Sequence, residues 1–181
     1  MSPPAREGSD AREGNAVTVT RDYDYPRESV FHMLTDRKTA SRFFTPEGAE
    51  KLVFEWDPRP GGAIRIHDRH PDDGVVYKTS GTIVEIVPPE ILSMRTSTTP
   101  AGGSAPFEAL QTVRFQPLGP RRTRVIVQVK VLSAGSHAGT IESLEEGFLG
   151  GWGQTLEMLQ RELEGAPVAD LSGRPNASGD H

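Results

Sequence analysis

The feature that most constrains the fold is a change in the spacing of apolar residues toward the end of the chain. Up to about residue 132, apolar and polar residues alternate in short runs, as at Val17, Val19 and Tyr23. Alternation with a period of two is typical of half-buried β-strands. Near the C-terminus the spacing changes to steps of three and four, which places the apolar residues on one face of a helix. These residues are Leu149, Trp152, Leu156, Leu159 and Leu163.

Turn-forming sequences divide the alternating region into several strands. Segments rich in Pro, Gly and Asp, such as DPRPGG at 57–62, separate the apolar runs from one another. The predicted strands cover residues 17–23, 51–56, 63–68, 75–87, 91–98, 109–117 and 123–132. Strands that succeed one another without long helices between them form an antiparallel sheet. The prediction is therefore an α+β fold, with a curved antiparallel sheet of six to seven strands around one long C-terminal helix.

Two short helices are predicted after the first strand. Pro26 opens the first of them, and Val30, Phe31 and Leu34 fall on one of its faces. Asp36 is placed to cap a second short helix that runs to about residue 43.

The start of the long helix has two unusual features. Ser143 and Glu146 have the spacing of a capping box, in which each side chain accepts from the other's backbone N–H. Four glycines follow, and each costs up to about 1 kcal/mol relative to alanine in a helix. Close packing on a neighbouring strand or a local bend is expected to compensate, and a bent start beside a pocket could act as a gate. The glycines are Gly147, Gly150, Gly151 and Gly153.

Bulk composition excludes several classes of function. The chain has no cysteine, which excludes disulfides, thiolate metal sites and cysteine nucleophiles. Its net charge of −5 argues against a nucleic-acid partner. No apolar run approaches the roughly 18 residues that a membrane span requires, and the N-terminus lacks the apolar stretch of a secretory signal. A cytoplasmic location without membrane insertion is therefore expected.

Both ends of the chain have the composition of disordered tails. Residues 1–15 and 165–181 are rich in Gly, Pro, Ser and charge, and they contain few large apolar groups. Such segments cannot offset the entropy lost on ordering. The predicted folded domain is residues 16–164.

The predicted architecture is concave and implies an internal cavity. One helix about 10 Å across cannot fill a strongly curved sheet of about seven strands. Close packing of the inward side chains with one another is the plain alternative for any single residue. The apolar candidates for the cavity wall are Phe31, Leu34, Phe43, Phe44, Phe54, Trp56, Ile64, Ile66, Leu92, Met94, Val113, Phe115, Trp152, Leu156 and Leu159.

Four segments resemble one known family. The opening run VTRDYDYPRESVF at 19–31 is similar to the first strand and helix of the START-like (SRPBCC) superfamily. RFFTP at 42–46, RPGG at 59–62 and GGWGQTL at 150–156 resemble segments of the branch named for activators of the heat shock protein 90 ATPase. Phe43 stands where that branch usually has tryptophan. The resemblance implies the helix-grip fold and a hydrophobic cavity, and it implies no single activity because members include lipid carriers, hormone receptors and polyketide cyclases.

Polar residues on inward faces are the remaining candidates for the site. Tyr77, Gln111 and Thr155 could present polar groups inside the cavity. Arg21 alternates with buried positions, and three interpretations stay open for it: an ion pair with Glu145 or Glu146, exposure through strand twist, or a clamp for a ligand carboxylate. His67 and His70 lie on opposite faces of a strand and lack a third ligand, so no metal and no cofactor is predicted.

The leading functional hypothesis is non-catalytic binding of a small hydrophobic ligand. A polyketide cyclase- or aromatase-like enzyme and a chaperone-associated interaction module are the alternatives. A cavity below about 300 Å³ would contradict the first. The enzyme requires at least two polar side chains that converge in the pocket, one with a strongly shifted pKa, and the interaction module requires a contiguous exposed apolar patch. Homodimerisation through a sheet edge or a helix face stays open.

Overall fold

A computed structural model describes residues 10–13, 16–100, 103, 105–136 and 139–166, with residues 10–13 and 100 described as backbone only. The strands are β1 (Asp10–Glu13), β2 (Ala16–Tyr23), β3 (Glu50–Trp56), β4 (Ala63–Arg69), β5 (Val76–Val87), β6 (Ile91–Pro100), β7 (Phe107–Gly119) and β8 (Arg122–Ser133). The helices are α1 (Arg27–Thr35), a single 3-10 turn (Ala40–Arg42) and α2 (Ile141–Gly165).

The strands form one antiparallel sheet in the order β1-β2-β8-β7-β6-β5-β4-β3. Register shifts occur in β5 between Ile83 and Glu85 and in β7 between Glu108 and Ala109. Such bulges increase strand twist and bend the sheet, so they help to curve its inner face around α2. The predicted fold class is confirmed, and seven of the eight strands correspond to the predicted ones.

The additional strand, β1, lies within a predicted tail. It pairs with residues 16–19 at the free edge of β2. A strand at a sheet edge offers unpaired backbone groups, and backbone pairing does not need the large apolar side chains whose scarcity led to the prediction of disorder. The prediction was therefore wrong for residues 10–13. At the other end α2 continues to Gly165, and the remaining tail residues lie outside the described part of the chain, apart from Ala166.

The segment after β2 differs in detail from the predicted helix pair. Helix α1 follows Pro26 as predicted, and Val30, Phe31 and Leu34 on it are buried. Asp36 ends α1 in an extended conformation, and its carboxylate accepts from Lys38 N over 2.8 Å. The second helix is only a 3-10 turn, in which Arg42 N and Phe43 N donate three residues back, to Thr39 O and Ala40 O.

Helix α2 begins three residues earlier than the predicted capping box requires. Thr140 is the N-cap, and its hydroxyl accepts from Ser143 N over 3.2 Å. The predicted pairing of Ser143 with Glu146 as a capping box is therefore wrong, because Ser143 already lies inside the first turn. The predicted apolar stripe is confirmed: Leu149 is half-buried and the other four members are buried.

Three buried hydrogen bonds hold the helical segments against each other and the sheet. Tyr23 Oη on β2 donates to Leu156 O over 2.7 Å. Thr155 Oγ1 donates to Phe43 O over 2.9 Å, and Trp56 Nε1 donates to Thr35 O over 2.8 Å. These bonds tie α2 to β2 and to the end of the 3-10 turn, and the end of α1 to β3. No helix in the described residues is long and apolar enough to cross a membrane.

Candidate functional site

A cavity of about 470 Å³ lies between the first half of α2 and the inner face of the sheet. Its wall includes residues of the 3-10 turn region, of β3 to β7 and of α2. Ten of the predicted ligand-binding residues line it: Phe43, Phe44, Trp56, Ile64, Ile66, Tyr77, Met94, Gln111, Trp152 and Thr155. The volume exceeds the limit of about 300 Å³ below which the binding hypothesis would have been contradicted.

The other predicted residues lie outside the cavity wall. Six of them pack in or beside the core and one, Arg21, lies on β2 away from the cavity. Phe31 and Phe115, for example, pack edge to face with ring centroids 5.0 Å apart. These residues do face inward, but α1 and the second half of α2 fill the end of the concave sheet that lies away from the cavity. They are Arg21, Phe31, Leu34, Phe54, Phe115, Leu156 and Leu159, and the further wall candidates Leu92 and Val113 are also buried in the core.

Arg21 takes no part in the site. It is half-buried, and its guanidinium donates to Thr20 O over 3.1 Å. Within the described residues it forms no ion pair with Glu145 or Glu146, so that interpretation is wrong. Its half-buried side chain instead keeps the guanidinium against the backbone of β2.

Aromatic rings form one wall of the cavity. Phe44 stacks on Trp56 with ring centroids 4.9 Å apart and meets Trp152 edge to face at 5.8 Å. Phe107 and Phe148, which sequence reasoning missed, form a second edge-to-face pair at 6.0 Å. The aromatic pairs give this wall a fixed, apolar shape.

The sheet side of the cavity carries polar groups that mostly satisfy one another. Trp152 Nε1 donates to Gln111 Oε1 and Gln111 Nε2 donates to Thr96 Oγ1, each over 2.8 Å. Thr79 and Thr98 share a hydrogen bond of 2.9 Å. Gln111 and Thr155, two of the three predicted polar residues, are thus already engaged within the protein.

A separate polar corner lies where β4 and β5 meet. Asp68, His70 and Tyr77 all line the cavity there. Asp68 and Tyr77 are direct partners in the antiparallel register, and the rings of His70 and Tyr77 lie 4.3 Å apart. Alternation along β4 through Ile64 and Ile66 predicts that residue 68 also faces inward, and that signal could have found Asp68.

Burial raises the pKa of the Asp68 carboxyl above its ordinary value of 3.8. The neighbouring Thr45 hydroxyl opposes this shift, as do His70, Lys51 and His67. Of His67 and His70, the two histidines considered as metal ligands, only His70 lines the cavity. In the described part of the chain no group of three His, Asp or Glu side chains is arranged to hold a metal ion.

The cavity opens along one side of α2. Of all its lining residues, only Ser143, Gly147, Gly151 and Gln154 are exposed, and all four lie on this helix. A Cβ atom added at Gly147 or Gly151 would meet nothing within 4 Å. The expected close packing of these glycines on a strand is therefore wrong, because their missing side chains face open space at the mouth of the cavity.

The remaining lining residues were also missed by sequence reasoning. Seven of them lie on α2 and five on strands β4 to β7, and most are polar or small side chains that were not considered as wall residues. The full set of missed positions is Pro46, Asp68, His70, Thr79, Thr96, Thr98, Phe107, Ser143, Leu144, Gly147, Phe148, Gly151, Gln154 and Met158.

Comparison with known proteins adds a family match. Residues 24–164 match the family model described as "Activator of Hsp90 ATPase homolog 1-like protein". No curated protein matches the sequence significantly.

Solved structures of bacterial proteins resemble the fold. A protein from Rhodobacter sphaeroides is 16% identical with a TM-score of 0.69, and the alignment covers 89% of this chain and 100% of that one. A Chromobacterium violaceum protein is 26% identical with a TM-score of 0.63, covering 83% and 97%. An Arthrobacter aurescens protein is 18% identical with a TM-score of 0.69, covering 96% and 98%.

Proposed function

Since the chain belongs to the family of Activator of Hsp90 ATPase homolog 1-like proteins, we propose that it binds a small, largely apolar molecule in the cavity beside α2, without catalysis. The matched residues, 24–164, include every residue that lines this cavity. The observation that carries the proposal is the open volume of about 470 Å³. It falls within the roughly 300–1,000 Å³ that is usual for sites that bind small molecules.

The chemistry of the wall supports an apolar ligand. The aromatic wall and Ile64, Ile66 and Met94 offer apolar surface, whose removal from water contributes about 25 cal/mol per Å². A ligand that buries about 200 Å² of apolar surface would gain about 5 kcal/mol from this source, before the entropic cost of association is subtracted. Most polar groups on the sheet side are paired with one another and need no partner from the ligand.

The proposal is tested with an anthracene carrying one methyl group on its central ring. Its absorption overlaps tryptophan emission, so binding beside Trp56 and Trp152 is expected to quench the fluorescence of the protein. A titration gives the dissociation constant. Native mass spectrometry of the freshly purified protein would in addition detect a molecule carried from the host.

Two neighbouring glycines supply a matched pair of variants. Gly151 lines the mouth of the cavity, whereas Gly150 is exposed on α2 and does not line it. We expect Gly151→Leu to weaken binding at least tenfold, because its side chain enters the open space, and Gly150→Leu to leave binding unchanged. Failure of the wild type to quench, or equal effects of the two substitutions, would contradict binding at this site.

A cyclase- or aromatase-like reaction is the second candidate. The observation that favours it is the convergence of Asp68, His70 and Tyr77 on one wall, with the pKa of Asp68 raised by burial as a general acid or base requires. A β-diketone probe in deuterated water tests this candidate. Accelerated exchange at the carbon between the carbonyls, lost in Asp68→Asn, would support catalysis, and exchange at the uncatalysed rate would reject it.

The chaperone-associated alternative stays a prediction. The exposed large apolar side chains in the described part of the chain are spread over β3, β5, β7, β8 and α2. A homodimer likewise stays a prediction, tested by the mass of the protein in solution.

A further inference from the structure

Asp68 is a buried carboxyl with unused hydrogen-bonding capacity. Its side chain points to the cavity side of β4, and the residue is only 6% exposed. Its Oδ1 atom is shielded from solvent and has no hydrogen-bond partner among the described residues. A buried polar group left without a partner destabilises the folded state. Such a cost suggests that a partner is supplied from outside the chain.

Thr45, beside Asp68, has the same deficit. Its Oγ1 atom is also buried and lacks a hydrogen-bond partner among the described residues. The Thr45 hydroxyl lowers the pKa of the Asp68 carboxyl through its hydrogen-bonding effect, although the two groups do not meet in hydrogen-bond geometry. Because neither group satisfies the other in this arrangement, a donor from outside the chain or an ordered water would complete it.

The surroundings of Asp68 favour a donor over an acceptor. A carboxyl accepts a hydrogen bond from an N–H or O–H group in either of its protonation states. A ligand carboxylate at the same place would set two acceptors against each other. His70, His67 and Lys51 are the charged or titratable groups that act on Asp68 from its surroundings, and of these only His70 lines the cavity.

Tyr77 completes the corner on the neighbouring strand. It faces Asp68 directly across the β4–β5 pairing, and it contacts the His70 ring. Its hydroxyl has no hydrogen-bond partner among the described residues, in contrast to Gln111 and Thr155. The corner therefore offers a ligand one carboxyl, one imidazole and one phenol, while the rest of the cavity offers mainly apolar surface.

We propose that the corner formed by Asp68, His70 and Tyr77 recognises a hydrogen-bond donor, a primary amine or a hydroxyl, at one end of an otherwise apolar ligand. This inference rests on the proposed binding function and specifies the chemical class of the ligand. The apolar body lies against the aromatic wall, and the donor reaches the Asp68 carboxyl.

Four anthracenes with the same ring system test the inference on the full chain. They carry a methyl, an aminomethyl, a hydroxymethyl or a carboxyl group on the central ring, and each is titrated by tryptophan quenching. A hydrogen bond to a charged group contributes about 1.5–3 kcal/mol. We therefore expect at least one of the two donor-bearing probes to bind about tenfold more tightly than the methyl probe, and the carboxyl probe to bind more weakly than either.

Two substitutions assign the preference to Asp68. Asp68→Leu removes the acceptor and is expected to abolish the preference for donor-bearing probes while the methyl probe still binds. Asp68→Asn keeps the size of the side chain and an acceptor oxygen, so it is expected to reduce the preference for the amine more than that for the alcohol. Circular dichroism confirms that each variant is folded, and the four-probe comparison on the wild type does not depend on either variant.

The outcomes separate this inference from the proposed function. If the methyl and donor-bearing probes bind equally, the cavity binds apolar molecules but the corner holds only water, and the inference is overturned. If the carboxyl probe binds most tightly, His70 is the recognition group and the inference is also overturned. If no probe binds, the proposed function fails as well.

Discussion

The glycines at the mouth of the cavity lead to a quantitative prediction about stability. Gly150 and Gly151 lie in the interior of α2, where glycine is about 0.8–1.0 kcal/mol less favourable than alanine. A Cβ atom at either position would meet nothing within 4 Å, so no steric cost offsets the gain. Gly150→Ala and Gly151→Ala should each raise the free energy of unfolding by about 1 kcal/mol, and the double substitution by about 2 kcal/mol.

Thermal and urea denaturation followed by circular dichroism measure this effect. For a domain of this size, each kcal/mol corresponds to about 2–4 °C in Tm. Gly62→Ala is the contrasting control, because its Cβ would lie 1.9 Å from Asp57 O and should destabilise the protein. Loss of stability in Gly150→Ala or Gly151→Ala would refute the reasoning, since it would mean that the backbone of α2 packs closely at these positions or is not helical there.

Two further predictions concern buried polar groups. Burial raises the pKa of the Asp68 carboxyl in the folded state above 3.8, so the folded protein holds the carboxyl proton more tightly than the unfolded chain does. The contribution of Asp68 to stability therefore falls as the pH rises from 3.8 through the raised pKa of the folded state. Asp68→Asn should therefore gain stability relative to the wild type as the pH rises above 3.8, measured by urea denaturation at each pH; a constant difference would contradict this prediction. Tyr23→Phe removes the 2.7 Å bond to Leu156 O and should lower the free energy of unfolding by about 1 kcal/mol, and an unchanged denaturation midpoint would show that this bond is not stabilising.

Periodicity predicted which residues face inward, and it did so accurately. Leu156, Leu159 and Leu163 of α2 and the pair Ile64 and Ile66 on β4 are all buried as expected. The same reasoning could not separate cavity wall from packed core. Phe31 and Phe115 face inward yet pack against each other, because the end of the sheet that stays unfilled depends on where α1 and α2 come to rest. Those positions are set by long-range contacts such as the bond between Tyr23 and Leu156.

The polar part of the site was less accessible to sequence reasoning. Asp68 continues the inward alternation of β4, but only the nearby histidines His67 and His70 were considered there, as metal ligands. Its significance depends on an unpartnered oxygen, which no sequence pattern records. The glycines of α2 were identified as unusual, yet composition could not distinguish a backbone in close contact from one beside open space.

The earlier and later turns of helix α2 have different surroundings. Leu156, Leu159 and Leu163 are buried in the core and lie outside the cavity wall, whereas the earlier turns border the cavity entrance through Ser143, Gly147 and Gly151. Substitutions in the earlier turns can change the shape and chemistry of the entrance without disturbing the stripe that holds the domain together.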